Sequence, residues 1–399
     1  MKLTRRAHLG LAVAMLTGST LAVAEQMPTP AEMWKIIQQQ QREIEALKQG
    51  QQRNSEKTEA TAEMVEQQAS GTATGGSGTW RNTQIGGYGE MHYNNLDSKE
   101  EIDFHRFVLF FGHQFTDRLR FFSEVELEHA LSGDGENGEV ELEQAYIEYD
   151  MAANQHVKAG LFLLPVGILN ETHEPPTFYG VERNPVEHNI IPSTWWAGGV
   201  GLNGEIAPGW SYDLAVHEGL NTSAASNFAV RSGRQKTSEA DAHDLAATGR
   251  VKWTAIPGVE LAATLQYQED ITQGNDPNAG EAWLYEVHAD IRSGPFGLRA
   301  LYASWDLDGS APAAVGADEQ TGYYVEPSFR INNQWGVFGR FNVWDNRAGD
   351  SLDSEMIQYN TGVNFWPHPD VVLKADVQLQ DNEGAKNDNG FNLGIGYQF

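Results

Sequence analysis

The sequence predicts an all-β fold, a 16-stranded antiparallel transmembrane β-barrel preceded by a short N-terminal periplasmic coiled-coil helix. Three observations predict it. Segments with one apolar and one polar face recur from residue 80 onward, short turns alternate with long polar connections, and tryptophans lie beside the short turns. After residue 24 no run of about 18 apolar residues occurs, so no helical membrane span is expected.

The composition excludes several classes of protein. The 399 residues include no Cys, so a disulfide framework, a thiolate zinc site and a cysteine nucleophile are ruled out. The 27 Lys and Arg residues face 55 Asp and Glu residues, which gives a net charge of −28. Because such a chain repels phosphate backbones, no nucleic-acid partner is expected.

Residues 1–24 are predicted to be a signal peptide. Lys2, Arg5 and Arg6 form a positive start, an apolar stretch follows, and Ala-Val-Ala at 22–24 supplies small residues for cleavage. The arginine pair also resembles a twin-arginine signal, which exports folded cargo. A barrel must cross the inner membrane unfolded, so general secretion is favoured.

Residues 25–79 are predicted to form a periplasmic helical segment and a linker. A heptad pattern over residues 30–68 is interrupted by polar residues, which indicates a weak coiled coil. A solvated single helix or a disordered spacer is the alternative. Residues 69–79 are rich in Gly and Ser, a composition typical of a flexible linker.

Residues 80–399 are predicted to form the barrel. At the C-terminus Phe391, Leu393, Ile395, Tyr397 and Phe399 alternate with polar residues and glycines. Since a buried β-sandwich also alternates, the connections decide between the two folds. The predicted short turns lie at 116–117, 153–154, 208–209, 257–258, 293–295, 332–333 and 367–369. The predicted long connections are 95–101, 132–138, 164–195, 221–240, 269–280, 306–319, 345–354 and 381–389.

This sorting of connections by length is typical of an outer-membrane barrel, and fifteen connections give sixteen strands. Trp210, Trp253, Trp335 and Trp366 lie beside short turns, where an interfacial aromatic girdle is expected. The terminal Phe399 matches the signal that barrels present to their assembly machinery.

Several segments resemble the phosphate-selective porin O/P family. They are residues 143–149 with 157–162 and 164–167, residues 104–107, residues 199–204 and the N-terminal coiled segment. The resemblance implies a barrel that is usually trimeric, with the third long loop folded into the pore. It implies a water-filled outer-membrane channel for passive diffusion of small hydrophilic solutes and ions.

The predicted lumen does not show the arginine ladder expected of phosphate-selective members. Its predicted residues carry both signs: Arg106, Arg120, Glu124, Glu126, Glu128, Arg250, Lys252, Glu286, Asp290, Arg292, Arg299, Glu326, Arg330, Arg340, Lys374 and Asp376. Because pore selectivity follows rings of one sign, we expect a general or weakly cation-preferring channel. A phosphate- or anion-selective channel is the alternative.

The connection 164–195 is the candidate constriction loop, since about 32 residues is too long for an ordinary connection. Its candidate pore-lining residues are Glu171, His173, Glu174, Tyr179, Arg183, Glu187 and His188. Their spacing fits no known metal motif, so no metal or other cofactor is predicted, although a His–Glu metal site is an alternative. Histidine protonation near pH 6 is expected to tune conductance.

No nucleophile elbow or phosphate-binding loop occurs, so no enzyme is predicted, and an outer-membrane hydrolase is an alternative. A structural protein that tethers the cell envelope through residues 30–68 is another alternative. Acidic residues crowd the long loops, where they are solvated or bridged to lipid by divalent cations. The expected partners are outer-membrane lipid, two further copies in a homotrimer, the barrel assembly machinery, and small solutes or ions.

Overall fold

The computed structural model describes residues 82–352, 354–382 and 387–399. The predicted signal peptide, helical segment and linker of residues 1–79 lie outside the described residues. Within the described ranges, no helix is long and apolar enough to cross a bilayer.

The described residues form sixteen antiparallel strands in one closed barrel, which confirms the predicted fold class. Each strand pairs with its neighbours in sequence, and β1 closes on β16 through a register that runs from Tyr88–Gln398 to Leu96–Gly390. The strands are β1 Thr83–Leu96, β2 Glu100–Thr116, β3 Leu119–Glu128, β4 Val140–Ala152, β5 Gln155–Leu163, β6 Trp196–Ala207, β7 Trp210–His217, β8 Ala246–Trp253, β9 Val259–Gln268, β10 Ala282–Ser293, β11 Phe296–Leu307, β12 Glu319–Arg330, β13 Trp335–Asp345, β14 Met356–His368, β15 Val371–Asn382 and β16 Gly390–Gln398.

The barrel turns its apolar faces outward and its polar faces inward. On β15 the outward side chains of Val377 and Leu379 are 47% and 56% exposed, whereas inward Asp376 and Gln378 are only 5% and 6% exposed. Similar exposed apolar positions recur on most strands and form a continuous band. A band of that size is stable against lipid tails and would aggregate in water.

The connections follow the predicted alternation with one exception. All seven predicted short turns join consecutive strands, and most of the predicted long connections span ten residues or more. The predicted first long connection, residues 95–101, is wrong, because β1 and β2 continue to a tight turn at residues 97–99. Asn95 pairs with Glu100 there, so acidic residues expected in a loop belong to a strand.

The aromatic girdle is present beside the short turns, but one of its predicted members lies elsewhere. Trp210 packs near Trp253, and Trp335 stacks on Phe365, on the outer surface. Trp366 is buried inside the barrel and donates a hydrogen bond from Nε1 to the Pro176 carbonyl. The period of two explains this, since neighbours in one strand point to opposite faces.

The hydrophobic core lies inside the barrel. Residues 164–195, named loop L3, carry a 3-10 turn at Pro175–Thr177 and a short helix α1 at Val186–Asn189. Residues 218–245, named loop L4, carry 3-10 turns at Ala224–Ser226 and Val230–Gly233. A second helix, α2, spans Ser310–Ala314 between β11 and β12.

The two loops pack their apolar side chains against an apolar patch on the inner wall. Ile190 and Ile191 of L3 belong to one buried cluster with Leu284, Trp305 and Tyr324 of β10 to β12. These wall residues occupy lumen-facing positions, where the strand pattern alone predicts polar side chains. L3 is therefore a packed element of the barrel interior.

Candidate constriction site

Loop L3 crosses the lumen from one wall to the opposite one. It begins after β5 and ends before β6, yet its 3-10 turn contacts β15, β16 and β1, and α1 contacts β12 and β13. Since β13 is eight strands away from β5 in a ring of sixteen, the loop spans the width of the barrel. It narrows the water column that the polar inner wall encloses.

Wall side chains hold the L3 backbone in place from several directions. Asp376 of β15 accepts a hydrogen bond from the Val181 amide at 2.7 Å. Asn364 of β14 donates to the Phe178 carbonyl at 3.0 Å, and Trp305 of β11 donates from Nε1 to the Ile190 carbonyl at 2.8 Å. Because these bonds are made to the main chain, they fix the path of the loop rather than a single side chain.

The side chain of Glu187 points away from the lumen and is enclosed between L3 and the wall. Its side chain is fully buried, and Oε2 accepts hydrogen bonds from the amides of Ile168 and Leu169 at 2.9 and 2.6 Å. Oε1 accepts from Tyr324 Oη at 2.7 Å and from Asn184 Nδ2 at 3.2 Å. One carboxylate thus links two parts of the loop to β12.

The other candidate residues of L3 divide between the wall and the lumen. Glu171 forms an ion pair with Arg250, and Tyr179 packs against Trp366 and Phe338, all of them contacts with the wall. His173 is buried, Glu174 is half-buried, and Arg183 and His188 line a cavity in the lumen.

The pKa of His173 differs from the sequence-based expectation of titration near pH 6. Burial alone would lower the pKa, but the carboxylates of Glu124 and Glu143 outweigh that effect and raise it to about 10. The charge of His173 therefore does not change near pH 6.

The predicted lumen-lining residues all occupy inward positions of their strands. One group supports L3: Arg299 donates to the Thr177 carbonyl, Arg340 pairs with Glu326 and also donates to L3 carbonyls, and the Lys374 ammonium lies 3.4 Å from the Phe178 ring centroid.

A second group pairs along the wall or lines the short-turn end of the lumen. Arg120 forms ion pairs with Glu148 and Asp150, and Glu286 contacts His288 at 2.7 Å. Lys252, Asp290, Arg292 and Arg330 line a wide cavity at the short turns.

Three basic residues of L4 enter the lumen and were not among the sequence-based candidates. Two of them bind the L3 main chain: Arg231 donates to the carbonyls of His188 and Ser193, and Arg234 donates to the carbonyl of Thr194. Lys236 reaches across to Glu139 at 3.0 Å. Three cations within six residues of an acidic chain were a visible signal in the sequence, but the entry of L4 into the barrel was not.

The side chains around this point form a cavity of about 210 Å3 with charges of both signs. Its basic residues are Arg106, Arg183, Arg231, Arg234 and Lys236, and its acidic residues are Glu90, Glu128, Glu141, Glu143 and Glu182. Four of the five cations come from L3 and L4, whereas four of the five carboxylates come from the wall formed by β1 to β4. This arrangement produces an electric field across the lumen.

Phe178 of L3 lines this cavity and also a second, wider one of about 920 Å3 at the short-turn end. The phenyl ring is 3% exposed and lies under the Lys374 ammonium. Phe178 therefore lies between the charged cavity and the wide cavity of the lumen.

A closed barrel with an apolar outer band, a polar lumen and an inward-folded loop defines a membrane channel of the porin class. A family model described as Gram-negative porin matches residues 119–385. The chain belongs to this family and resides in the outer membrane. The family and the fold point to a channel for passive diffusion rather than to an enzyme.

One curated relative and several solved structures are similar to this chain. An uncharacterized protein of Aquifex aeolicus (strain VF5) is 30% identical over 361 residues, 80% of each chain. Three solved barrels share the fold. They are the channel DcaP of Acinetobacter baumannii (17% identity, 79% of this chain and 97% of that chain, TM-score 0.55), an anion-selective porin from Comamonas acidovorans (12%, 79% and 99%, 0.56) and Salmonella typhi OmpF in complex with daunomycin (17%, 80% and 98%, 0.55).

Proposed function

We propose that this porin is a general diffusion channel with a weak preference for cations, and that L3 and L4 form its constriction. The carrying observation is the cavity in which five Lys and Arg side chains face five Glu side chains. Equal numbers of the two signs leave little net charge to exclude either cations or anions. The net charge of −28 on the whole chain favours cations at the channel mouths.

The transverse field has a consequence for solutes. A polar or zwitterionic molecule aligns its dipole between the L4 cations and the acidic wall, whereas an apolar molecule must displace ordered water there. The channel therefore favours small hydrophilic solutes over apolar ones of the same size.

A planar bilayer under a salt gradient tests the ion preference. Purified protein in a tenfold KCl gradient should give a small reversal potential of the sign for K+ permeation. A large potential of the sign for chloride permeation would contradict the proposal. Raising the salt concentration should reduce the preference, because salt screens the charges at the mouths.

A second candidate function is selective passage of oxyanions such as phosphate, as in the phosphate-selective porin family that the sequence resembles. Within the described ranges, Arg183 Nε and Nη2, Arg234 Nε and Trp196 Nε1 are buried donors without a hydrogen-bond acceptor. Donors of this kind bind phosphate or carboxylate oxygens strongly. A structural neighbour is an anion-selective porin, which adds support from fold likeness alone.

Phosphate block of the chloride current distinguishes the two functions. Under the second function, inorganic phosphate should reduce the current through the wild-type channel, and Arg183→Gln should weaken this block at least tenfold. Arg118→Gln is the matched control, because Arg118 is exposed at the short turn between β2 and β3. Equal currents with and without phosphate favour the general channel.

We propose three further properties. The porin assembles as a homotrimer in contact with outer-membrane lipid, since one solved neighbour is described as a trimer form. The assembly machinery recognises β16 together with Phe399, which follows it. The porin also has no catalytic activity. This is tested by assaying the purified channel with ester, peptide and phosphoester substrates, none of which should be turned over by protein that conducts ions.

A further inference from the structure

A second group of buried charges lies beside the constriction, where L3 touches β3 and β4. His173 Nε2 is 3.6 Å from Glu124 Oε1 and 3.7 Å from Glu143 Oε2. The three side chains are almost fully buried, and the three ligand-type atoms lie within 4.8 Å of one another.

A β-bulge places one of the two carboxylates. Glu124 pairs with Gln144, but the next pair along is Val125 with Leu142, so Glu143 is the extra residue of β4. Leu142 is exposed on the outer surface, whereas Glu143 is 1% exposed and directed inward. Bulges commonly redirect a side chain next to a functional site.

Neighbouring groups orient these ligand atoms. The Nδ1–H of His173 donates to the Asn170 carbonyl at 3.1 Å, since a carbonyl can only accept, and this leaves Nε2 directed at the carboxylates. Gln144 Nε2 donates to Glu124 Oε2 at 2.6 Å, which leaves Oε1 directed at His173. Supporting hydrogen bonds of this kind are characteristic of metal-binding histidines and carboxylates.

The ligand atoms themselves have no hydrogen-bond partner. In the part of the chain that the structure describes, this holds for Glu124 Oε1, Glu143 Oε2 and His173 Nε2. Separations of 3.6 and 3.7 Å exceed the usual 2.7–3.2 Å of an N–H···O hydrogen bond. They are close to the roughly 3.4 Å between two ligands of a tetrahedral ion with bonds of about 2.1 Å.

The local charge also favours a divalent cation in place of the His173 proton, because the carboxylates of Glu124, Glu126 and Glu143 are all buried here. Glu126 is completely buried next to this group, and neither of its oxygens has a hydrogen-bond partner among the described residues. The guanidinium of Arg106 lies 3.5 Å from Glu126 and also pairs with Glu90. Buried carboxylates are costly unless they are paired or coordinate a metal.

We propose that Glu124, Glu143 and His173 bind a divalent transition-metal ion that fastens L3 to the wall of the barrel. One imidazole nitrogen and two carboxylate oxygens are a donor set for Zn2+ or Mn2+, while Mg2+ and Ca2+ prefer oxygen ligands alone. The ligands come from β3, from β4 and from L3, which explains why no sequence motif revealed them.

Zinc binding to the full-length protein in detergent, after removal of metals with a chelator, tests the proposal. Equilibrium dialysis should show one tightly bound Zn2+ per chain, and Co2+ should give the visible absorption of a four-coordinate ion. His173→Gln and the isosteric Glu143→Gln should each weaken Zn2+ binding at least tenfold. Mg2+ at the same concentration should not compete.

The control variant is His129→Gln. His129 belongs to a similar group with Asp103 and His105, but there Asp103 Oδ2 already accepts hydrogen bonds from both histidines. This variant should bind Zn2+ like the wild type.

Two results would overturn the proposal. One is wild-type protein that takes up no Zn2+, as expected if a protonated His173 alone bridges the two carboxylates. The other is full Zn2+ binding by both His173→Gln and Glu143→Gln. Retention of the heat-modifiable folded band in gels shows for each variant that the barrel has assembled, so that a loss of binding reports on the site.

Discussion

The Glu187 carboxylate should determine whether L3 stays docked in the lumen. Its two oxygens accept four hydrogen bonds, from the amides of Ile168 and Leu169, from Tyr324 Oη and from Asn184 Nδ2. Glu187→Ala removes all four acceptor contacts at once. The barrel strands keep their own backbone hydrogen bonds, so the change acts on the loop.

The magnitude follows from the donors that are left behind. The amides of Ile168 and Leu169 lie in a buried part of L3 and would lose their acceptor, at about 1–3 kcal/mol for each buried unsatisfied group. The docked loop therefore loses about 2–6 kcal/mol in total. Because about 1.4 kcal/mol corresponds to a tenfold change in a ratio of populations, undocked loops become roughly 30- to 20,000-fold more frequent.

Single-channel recording in planar bilayers measures the effect. We expect larger and noisier currents from Glu187→Ala and a smaller change from Glu187→Gln, whose amide oxygen still accepts hydrogen bonds. Glu174→Ala is the control, since the hydrogen bonds of Glu174 in the described structure use its main chain. Quiet currents of wild-type size from Glu187→Ala, with a normally folded barrel, would refute the reasoning.

Three other outcomes are expected. Phe178→Ala should raise the single-channel conductance, because the ring borders both lumen cavities; an unchanged conductance would place the narrowest point elsewhere. Burial alone would raise the pKa of Glu182, but contact with His92 at 3.1 Å outweighs it and holds that pKa well below the ordinary value. The Glu182–His92 contact is therefore intact above the ordinary Glu pKa of about 4.3, and it is lost only as the pH falls through the lower pKa of Glu182 in the folded protein. Wild-type currents should stay quiet from pH 8 to about pH 4, whereas currents through Glu182→Gln should be noisy over this whole range. Val377→Arg on the outer face should lower the free energy of unfolding, measured by urea denaturation, by about 2–4 kcal/mol, whereas Gln378→Arg on the lumen face should leave it unchanged. Equal effects of the two substitutions would contradict the assigned faces.

The barrel could be predicted because its information is local. Alternation within each strand identifies the two faces, and Pro, Gly and Asn residues mark the short turns. The bounds of L3 were predicted correctly at 164–195 for the same reason. The first long connection was misjudged because Glu100 and Glu101 look like loop residues, although both lie in β2 and pair with β1.

The candidate site could be predicted only in part. Arg183 and His188 lie in the charged cavity, but Glu187 turned out to be buried, and the L4 cations came from a loop whose direction the sequence does not reveal. Trp366 was assigned to the girdle because its position in the chain is right, while its neighbour Phe365 takes the outward face.

Patterns along the chain were enough to identify an outer-membrane barrel, because the period of two and the lengths of the connections depend on residues that are close together in sequence. The paths of L3 and L4, the side of the lumen that carries each charge, and the bulge that brings Glu143 to Glu124 and His173 are visible only in the folded barrel. These contacts join strands and loops far apart in sequence, and their geometry depends on closure of the whole ring.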